Sequence, residues 1–276
     1  MKDDDAGNEH DHHGGLASDL RRLIHLANRR QALRLFAGAS LIPLFGCAGD
    51  DMGSVDAGGT TSDAAGTGSC SNIPEETGGP YPGDGTNGAN ALTLSGIVRS
   101  DIRTSIGTLS GTAAGIPLTI KLTLVNASGS CAPLAGYAVY LWHCDRDGNY
   151  SMYTVTTQNY LRGVQAADSS GSVTFTSIFP ACYSGRWPHI HFEIYPSVDK
   201  ATAAGNRVRT SQLALPADVC NTVFATSGYE QSVNNLKSIS LSSDNVFSDG
   251  SSLQVAAVTG SVAEGYTATL TIGVAA

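Results

Sequence analysis

Charged side chains are scarce in this 276-residue chain, where Asp, Glu, Lys and Arg make up 14% of the residues. The formal net charge is −8 and no basic stripe occurs, which argues against a nucleic acid as partner. The apolar run from Leu35 to Phe45 is too short to cross a membrane as a mature helix. No C-x-x-C pair is present, so a structural zinc ribbon is disfavoured. Gly, Ser, Thr, Ala and Val are plentiful instead, which is typical of a strand-rich exported protein.

The front of the chain has the features of an export signal. Arg29-Arg30 precedes the apolar run, which ends at Gly46-Cys47, as in twin-arginine signals of the lipoprotein type. Phe45 stands where such signals usually have a small residue, so a simple cleaved signal peptide is the alternative. We interpret residues 1–46 as the signal and Cys47 as a lipid anchor. Residues 47–69 have almost no large apolar side chain and are interpreted as a flexible tether. This organisation places the protein in the periplasm or at the cell surface.

Residues 70–276 show the period-two alternation of half-buried strands. It occurs in the segments 118–124, 138–144, 172–178, 189–195 and 266–274, which are separated by clusters of Gly, Asp, Asn and Ser. Only short helices are indicated, near residues 216–226 and 231–236. These patterns predict an all-β domain, an antiparallel β-sandwich with long active-site loops and few short helices.

Five cysteines and three histidines remain in this domain. In an oxidising compartment the cysteines favour disulfides over metal binding, but an odd number leaves at least one thiol outside any internal pair. Their connectivity cannot be deduced from spacing: Cys70, Cys131, Cys144, Cys182 and Cys220. The three histidines are His143, His189 and His191.

The segment His189-Ile190-His191 suggests two metal ligands on one strand. Side chains two apart in a strand share a face, so His189, His191 and Glu193 point one way and Ile190 and Phe192 the other. The two imidazoles therefore aim at one point. An H-x-H pair alone is also compatible with two polar side chains on an exposed strand.

The residues around this pair carry a more specific motif. The stretch 175–192 has Pro180, then Tyr183, then Arg186 three residues before the first His of H-x-H. It resembles the iron-binding segment of the intradiol ring-cleavage dioxygenases, the family of the catechol and protocatechuate dioxygenases. Upstream, the stretch from Trp142 to Tyr150 resembles the W…G-x-Y segment of that family, which supplies a second Tyr ligand. Segments 76–81, 161–163 and 168–171 also resemble family segments, so the likeness extends from about residue 70 to beyond Gln212.

The resemblance implies one non-haem Fe(III) held by four residues: Tyr150, Tyr183, His189 and His191. Two hard phenolate donors favour Fe(III) over Fe(II). A catechol-type ring would then be opened with O₂ to a cis,cis-muconate-type diacid, as in aromatic compound catabolism. In the family one tyrosine leaves the iron when substrate binds, and by position this is Tyr183. Arg186 would bind substrate and stabilise its developing negative charge.

Two further residues occupy family positions near the iron. Gln212 is a candidate hydrogen-bond partner of the active-site hydroxide, and Tyr81 is a candidate wall of the substrate pocket. A plain strand glutamine and an aromatic packed in a turn are the alternatives. We expect the segment after Cys47 to leave no room for the helical N-terminal dimerisation region of the catechol enzymes. The chain is therefore closer to short secreted relatives and to single protocatechuate-type subunits, which leaves substrate and homo-oligomeric state open.

Two rival functions remain. A zinc hydrolase would use His143, His189 and His191 with a bound water. A non-catalytic surface lipoprotein would keep the fold without the activity. A calcium loop at residues 145–149 is excluded, because Gly148 is misplaced within it and no Glu follows at the twelfth position.

Overall fold

The computed structural model describes residues 71–276. The predicted signal at 1–46, the tether at 47–69, the lipid anchor Cys47 and Cys70 all lie outside these residues. Within the described part of the chain, no helix combines the length and the apolar character needed to span a membrane.

Eight strands form two four-stranded sheets. The first sheet has the order β4-β1-β8-β7 and consists of β1 (Pro117–Asn126), β4 (Ser172–Ile178), β7 (Ala257–Ser261) and β8 (Gly265–Val274). The second sheet has the order β3-β2-β5-β6 and consists of β2 (Ala138–Trp142), β3 (Arg162–Ala166), β5 (His189–Tyr195) and β6 (Arg209–Ala214). Two short helices follow β6, namely α1 (Ala217–Phe224) and α2 (Glu230–Lys237). Three 3₁₀ turns complete the regular structure: Val198–Lys200, Ala204–Asn206 and Phe247–Asp249.

One buried apolar cluster contains residues from both sheets. Leu118, Ile120 and Leu122 of β1 belong to it together with Ile190 and Phe192 of β5. Alternation turns the intervening residues of each strand to the opposite face of its sheet. On β1 those residues are at least partly exposed from Pro117 to Thr123, whereas β5 is buried along its whole length. The outer face of the second sheet is therefore covered by other parts of the chain.

The cover comes from loops. A second buried cluster joins Ala138, Tyr140 and Trp142 of β2 to Leu92 and Tyr150, which lie outside the strands. Segment 71–116 has no strand or helix of its own, and it runs along the sheets through isolated bridges. The predicted loop-rich character of the domain thus has a structural consequence, because these loops enclose one sheet face.

The predicted strands agree closely with the observed ones. Segments 172–178 and 189–195 form β4 and β5 with the predicted ends, and the two predicted helices occur as α1 and α2. The predicted antiparallel pairing holds for five of the six strand pairs described and is wrong for one, because β1 and β8 pair in parallel from Leu118–Tyr266 to Asn126–Val274. Parallel pairing needs a long crossover rather than a hairpin. Here the connection between β1 and β8 contains the whole second sheet together with β4 and β7 of the first.

The cysteines form fewer disulfides than predicted. Cys131 is disulfide-bonded, whereas Cys144, Cys182 and Cys220 are free and buried. The partner of Cys131 is therefore not among the other three described cysteines. Burial raises the pKa of Cys182 to about 12 and keeps its thiol protonated.

Candidate metal centre

Strand β5 brings the two predicted histidine ligands together on the outer face of the second sheet. His191 pairs with Trp142 of β2 on one side and with Gln212 of β6 on the other. The ring of His191 stacks on Trp142, with centroids 4.9 Å apart and planes 4° apart. The Nε2 atoms of His189 and His191 lie 3.0 Å apart. Period two therefore places both imidazoles at one point, as the pattern predicts.

Two loops bring the tyrosines to the same point. The Tyr150 hydroxyl lies 3.4 Å from the Tyr183 hydroxyl and 3.5 Å from His189 Nε2. The Tyr183 hydroxyl lies 3.2 Å from His189 Nε2. The structure thus gathers all four residues that the motif assigns to the metal.

A tight turn precedes Tyr150 and fixes its approach. One carboxylate oxygen of Asp145 accepts hydrogen bonds from the backbone N–H groups of Asp147 and Asn149, at 3.0 and 2.9 Å. Gly148 has φ +85°, and a Cβ built on it would lie 3.1 Å from Tyr183 Cβ. Glycine is needed here both for its conformation and for this close approach. The turn therefore fits the backbone before Tyr150 against Tyr183.

The four donor atoms have the separations expected of ligands to one metal ion. Atoms about 2.0–2.1 Å from a shared metal lie roughly 2.9–3.4 Å apart when they are neighbours in an octahedral or tetrahedral shell. His189 Nε2 lies 3.0 to 3.5 Å from the other three donor atoms and the two phenol oxygens lie 3.4 Å apart, which is within or just above that range. Among residues 71–276 no three His, Cys, Asp or Glu side chains form a potential metal site, so the further donors of this one are phenol oxygens.

The histidines are in the protonation state that binds metals. Burial is the main cause that lowers the pKa of His189 and His191 well below the ordinary value, and Arg186 adds to it. His189 Nδ1–H donates to the Trp187 carbonyl at 2.5 Å, which leaves the Nε2 lone pair free for a metal. His191 Nδ1 is buried without a hydrogen-bond partner in the described structure.

The pKa values of the two phenols shift in the opposite direction, upward, when only the protein's own groups act on them. Burial raises the pKa of Tyr183 to about 12 and lifts the pKa of Tyr150 well above its ordinary value. Both hydroxyls are therefore protonated at neutral pH unless a nearby cation stabilises the phenolates. A cationic metal at the shared point provides that stabilisation, so the donor set fits a trivalent ion such as Fe(III).

Arg186 lies in the same buried region. Its Nε donates to Asp244 at 2.9 Å and one terminal nitrogen donates to Gln212 Oε1 at 2.6 Å. Burial acts to lower the pKa of Arg186, but Tyr183 and Asp244 outweigh it and the pKa lies above the ordinary value. The guanidinium therefore stays charged. Its remaining nitrogen, Nη1, makes no hydrogen bond to the described residues and is available to a ligand.

Gln212 and Tyr81 are both near the centre, but they contact different parts of it. Gln212 accepts from Arg186 and donates to the Thr77 carbonyl at 2.8 Å, so its amide links Arg186 to a loop. The Tyr81 ring is 5.0 Å from the Tyr150 ring and half-buried. Tyr81 thus borders the metal ligands, whereas Gln212 contacts Arg186.

His143 cannot serve as a third metal ligand. Its Nδ1 lies 2.7 Å from the Cys144 carbonyl and its Nε2 lies 2.6 Å from the Ser177 hydroxyl. Both ring nitrogens are thus occupied inside the core, and burial lowers the pKa of His143 to about 4. The zinc hydrolase hypothesis loses its third histidine.

Sequence reasoning missed two residues that organise the centre. Asp244 is completely buried and holds Arg186. Arg162, which lies in a family-like segment, donates five hydrogen bonds that tie the backbone at Tyr81 and Pro82 to Ser151 and to the Tyr140 hydroxyl. It therefore joins the loop of Tyr81 to the turn after Tyr150. No sequence spacing indicated a role in the centre for either residue.

A family model described as Dioxygenase matches residues 99–190. That segment contains Tyr150, Tyr183, Arg186 and His189, and it ends one residue before His191. Among curated proteins, none matches the chain.

Solved structures extend the likeness over most of the described residues. An intradiol ring-cleavage dioxygenase from Tetranychus urticae is 26% identical with a TM-score of 0.56, and the match covers 74% of this chain and 95% of that one. A second solved dioxygenase is 25% identical with a TM-score of 0.58, covering 75% of this chain and 95% of that one. The catechol 1,2-dioxygenase from Pseudomonas arvilla C-1 is 18% identical with a TM-score of 0.49, covering 94% and 71%. The family match and the first two structures support an intradiol ring-cleavage dioxygenase, as the motif predicts.

Proposed function

We propose that this chain is a non-haem Fe(III) intradiol dioxygenase that opens catechol-type rings with O₂ to cis,cis-muconate-type diacids. The observation that carries the proposal is the convergence of two phenol oxygens and two imidazole Nε2 atoms. His189 Nε2 lies 3.0 to 3.5 Å from the other three donor atoms, and the two phenol oxygens lie 3.4 Å apart. Two phenolates are hard anionic donors, which favour Fe(III) over Fe(II) and over softer metals. When bound, ferric iron supplies Lewis acidity and a site where a catecholate and O₂ can react.

The two tyrosines are suited to different tasks. Tyr150 is buried beside His189 and His191, whereas Tyr183 is partly exposed. We assign Tyr150 with the two histidines to permanent ligation and Tyr183 to the position that the substrate takes over. Because burial raises the pKa of the Tyr183 phenol to about 12, a Tyr183 phenolate that is not bound to metal would be a strong base and would accept one catechol proton.

Arg186 is placed to balance the negative charge of the bound substrate. Asp244 and Gln212 hold its guanidinium from two sides and leave Nη1 free. A fixed cation in a water-poor site stabilises charge without having to reorganise during the reaction. Tyr81 would form the pocket wall against the Tyr150 ring, and it would help to exclude water from that side.

The proposal extends to architecture and location. The apolar cluster shared by both sheets supports a β-sandwich with the metal centre on its loop-covered face. We also propose export through the signal at 1–46, with Cys47 as the lipid anchor and the domain held at the cell surface or in the periplasm.

The test is metal content together with oxygen consumption. The purified chain should take up about one iron and become coloured through phenolate-to-iron charge transfer. It should consume O₂ with a catechol and release the diacid that carries both oxygen atoms. A panel of unsubstituted, methylated, carboxylated and hydroxylated catechols then identifies the preferred ring. A folded, colourless protein that binds zinc instead, or one that consumes no O₂ with any catechol, would contradict the proposal.

Removal of one phenol gives the sharper version of this test. Tyr150→Phe deletes only the donor oxygen, so iron binding and turnover should fall at least ~100-fold, more than for a typical outer-shell substitution. Tyr137→Phe is the matched control, because Tyr137 is only partly buried and packs against the apolar cluster shared by both sheets, to which none of the four ligands belongs. Equal iron content, colour and turnover in both variants would remove Tyr150 from the ligand set.

A further inference from the structure

Asp244 lies in the segment between α2 and the 3₁₀ turn Phe247–Asp249, and it is completely buried. Its Oδ1 accepts hydrogen bonds from the backbone N–H groups of Val246 and Phe247, at 2.8 and 3.2 Å. The local turn thus closes around one carboxylate oxygen and fixes the side chain in place. The second oxygen, Oδ2, faces away from its own segment.

Oδ2 contacts two consecutive residues of the candidate metal centre. It accepts from Arg186 Nε at 2.9 Å and from the backbone N–H of Trp187 at 2.7 Å. Both bonds are charge-assisted and shielded from water, which makes them the stronger kind of protein hydrogen bond. One oxygen therefore fixes a charged side chain and the backbone beside it.

Each contact continues to a functional group. Arg186 also donates a hydrogen bond to Gln212, and its unused Nη1 is left for the substrate. Trp187 is held at its backbone by Asp244 and at its indole by the Leu215 carbonyl, at 2.8 Å. Its own carbonyl then accepts from His189 Nδ1–H, which fixes the ligand's tautomer and ring orientation.

We propose that Asp244 is a positioning residue of this centre, which sets the substrate-facing guanidinium of Arg186 and the metal-ligating ring of His189 from one buried carboxylate. The inference rests on the proposed function. It assigns a role to a segment beyond residues 99–190, where the family model matches. The C-terminal part of the chain thus takes part in the chemistry without touching substrate or metal.

Two variants and one control test this role. Asp244→Asn keeps an oxygen for the turn but removes the charge from Arg186, and Asp244→Glu keeps the charge but displaces it by one methylene. Asp249→Asn is the matched control, since Asp249 lies exposed in the same segment. Both Asp244 variants should lose about 10- to 100-fold in kcat, the range of outer-shell substitutions, with KM changed by less than about threefold. The control should stay within about twofold of the unmodified chain.

A second readout needs neither iron nor substrate. In the metal-free protein, ¹⁵N NMR of His189 should show a single Nδ1–H tautomer, and Asp244→Asn should turn it into a mixture of tautomers. If the unmodified chain proves to bind no iron or to be inactive, the proposed function fails while this measurement still decides on Asp244.

Three outcomes would overturn the assignment. One is a folded Asp244→Asn protein with kcat within twofold of the unmodified chain. Another is an unchanged His189 tautomer in that variant. The third is failure of both Asp244 variants to fold, which would show that Asp244 serves folding alone.

Discussion

The outer faces of the two sheets make opposite use of the same strand pattern. On β1 the polar residues Thr119, Lys121 and Thr123 alternate with buried leucines and isoleucine, and they lie on a face that solvent reaches. On β5 the polar residues His189, His191 and Glu193 alternate with buried apolar residues in the same way. Yet every residue of β5 is buried.

The difference lies in what covers each face. The β1 face is flanked by Thr174 of β4 and Thr269 of β8, side by side with Lys121, and all three are exposed. The β5 face is covered by loops that Arg162 fixes with five hydrogen bonds. Burying polar groups is costly unless each finds a partner. The loop before β5 supplies one such partner, the Trp187 carbonyl bonded by His189, whereas Glu193 accepts from Tyr195 of its own strand, and the covered face becomes a water-poor site.

This contrast separates polar residues that merely face solvent from polar residues that form a site. The strongest way to break it is to remove a ligand from the covered face. His191→Ala should reduce iron binding and turnover at least ~100-fold, because even outer-shell partners of a metal commonly contribute 10- to 100-fold. Iron content by mass spectrometry and oxygen uptake with a catechol measure the loss. Retention of both would show that the buried alternation on β5 serves packing alone.

Much of the covered face could be predicted from the sequence, because local rules determine it. Strand period two places His189 and His191 on one face whatever the rest of the fold does. The ends of β4 and β5 followed from alternation bounded by turn residues. Tyr150 and Tyr183 entered only through a family motif, since no local rule connects two loop tyrosines to a strand.

The missed elements have physical reasons of their own. Strands β3 and β6 begin with Arg162 and Arg209 and carry buried polar residues, so they lack the apolar alternation that marks a strand. Strand β7 is mostly exposed and contains Gly260. Asp244 is 58 residues from Arg186 in the chain, and only tertiary structure brings the two together. Long-range contacts between unlike segments leave no periodic trace.

The next test concerns His143, a histidine that is bonded inside the core and is not a candidate metal ligand. His143 spans the Cys144 carbonyl and the Ser177 hydroxyl in the core. His143→Asn is too short to reach both, so it should lower the free energy of unfolding by about 1–3 kcal/mol, the cost of buried groups left unsatisfied. Denaturant unfolding measures this change. Iron content and turnover should stay within about threefold, and a loss like that of His191→Ala would restore His143 as a ligand.

His143 also makes stability depend on pH. Burial lowers its pKa from 6.5 to about 4, so between these values the unfolded chain binds a proton that the folded chain does not. The stability contributed by neutral His143 is therefore complete above pH 6.5 and is lost as pH falls toward 4. In that window, unfolding free energy should fall less steeply for His143→Asn than for the unmodified chain. Equal slopes would show that His143 is not the group that titrates.

The smallest effect is expected on the exposed face of β1, and it completes the comparison. Lys121→Thr introduces the same residue type as the neighbours Thr174 and Thr269, and threonine also favours strands. The free energy of unfolding should therefore change by no more than about 0.5 kcal/mol. The adjacent Ile120→Ala is the control, since Ile120 is fully buried and its truncation should cost about 2–5 kcal/mol. Lys121→Thr should also leave iron content and oxygen uptake unchanged. A fall in turnover with stability intact would give the exposed face a functional role. Cover by loops would then no longer distinguish the functional sheet face from the solvent-facing one.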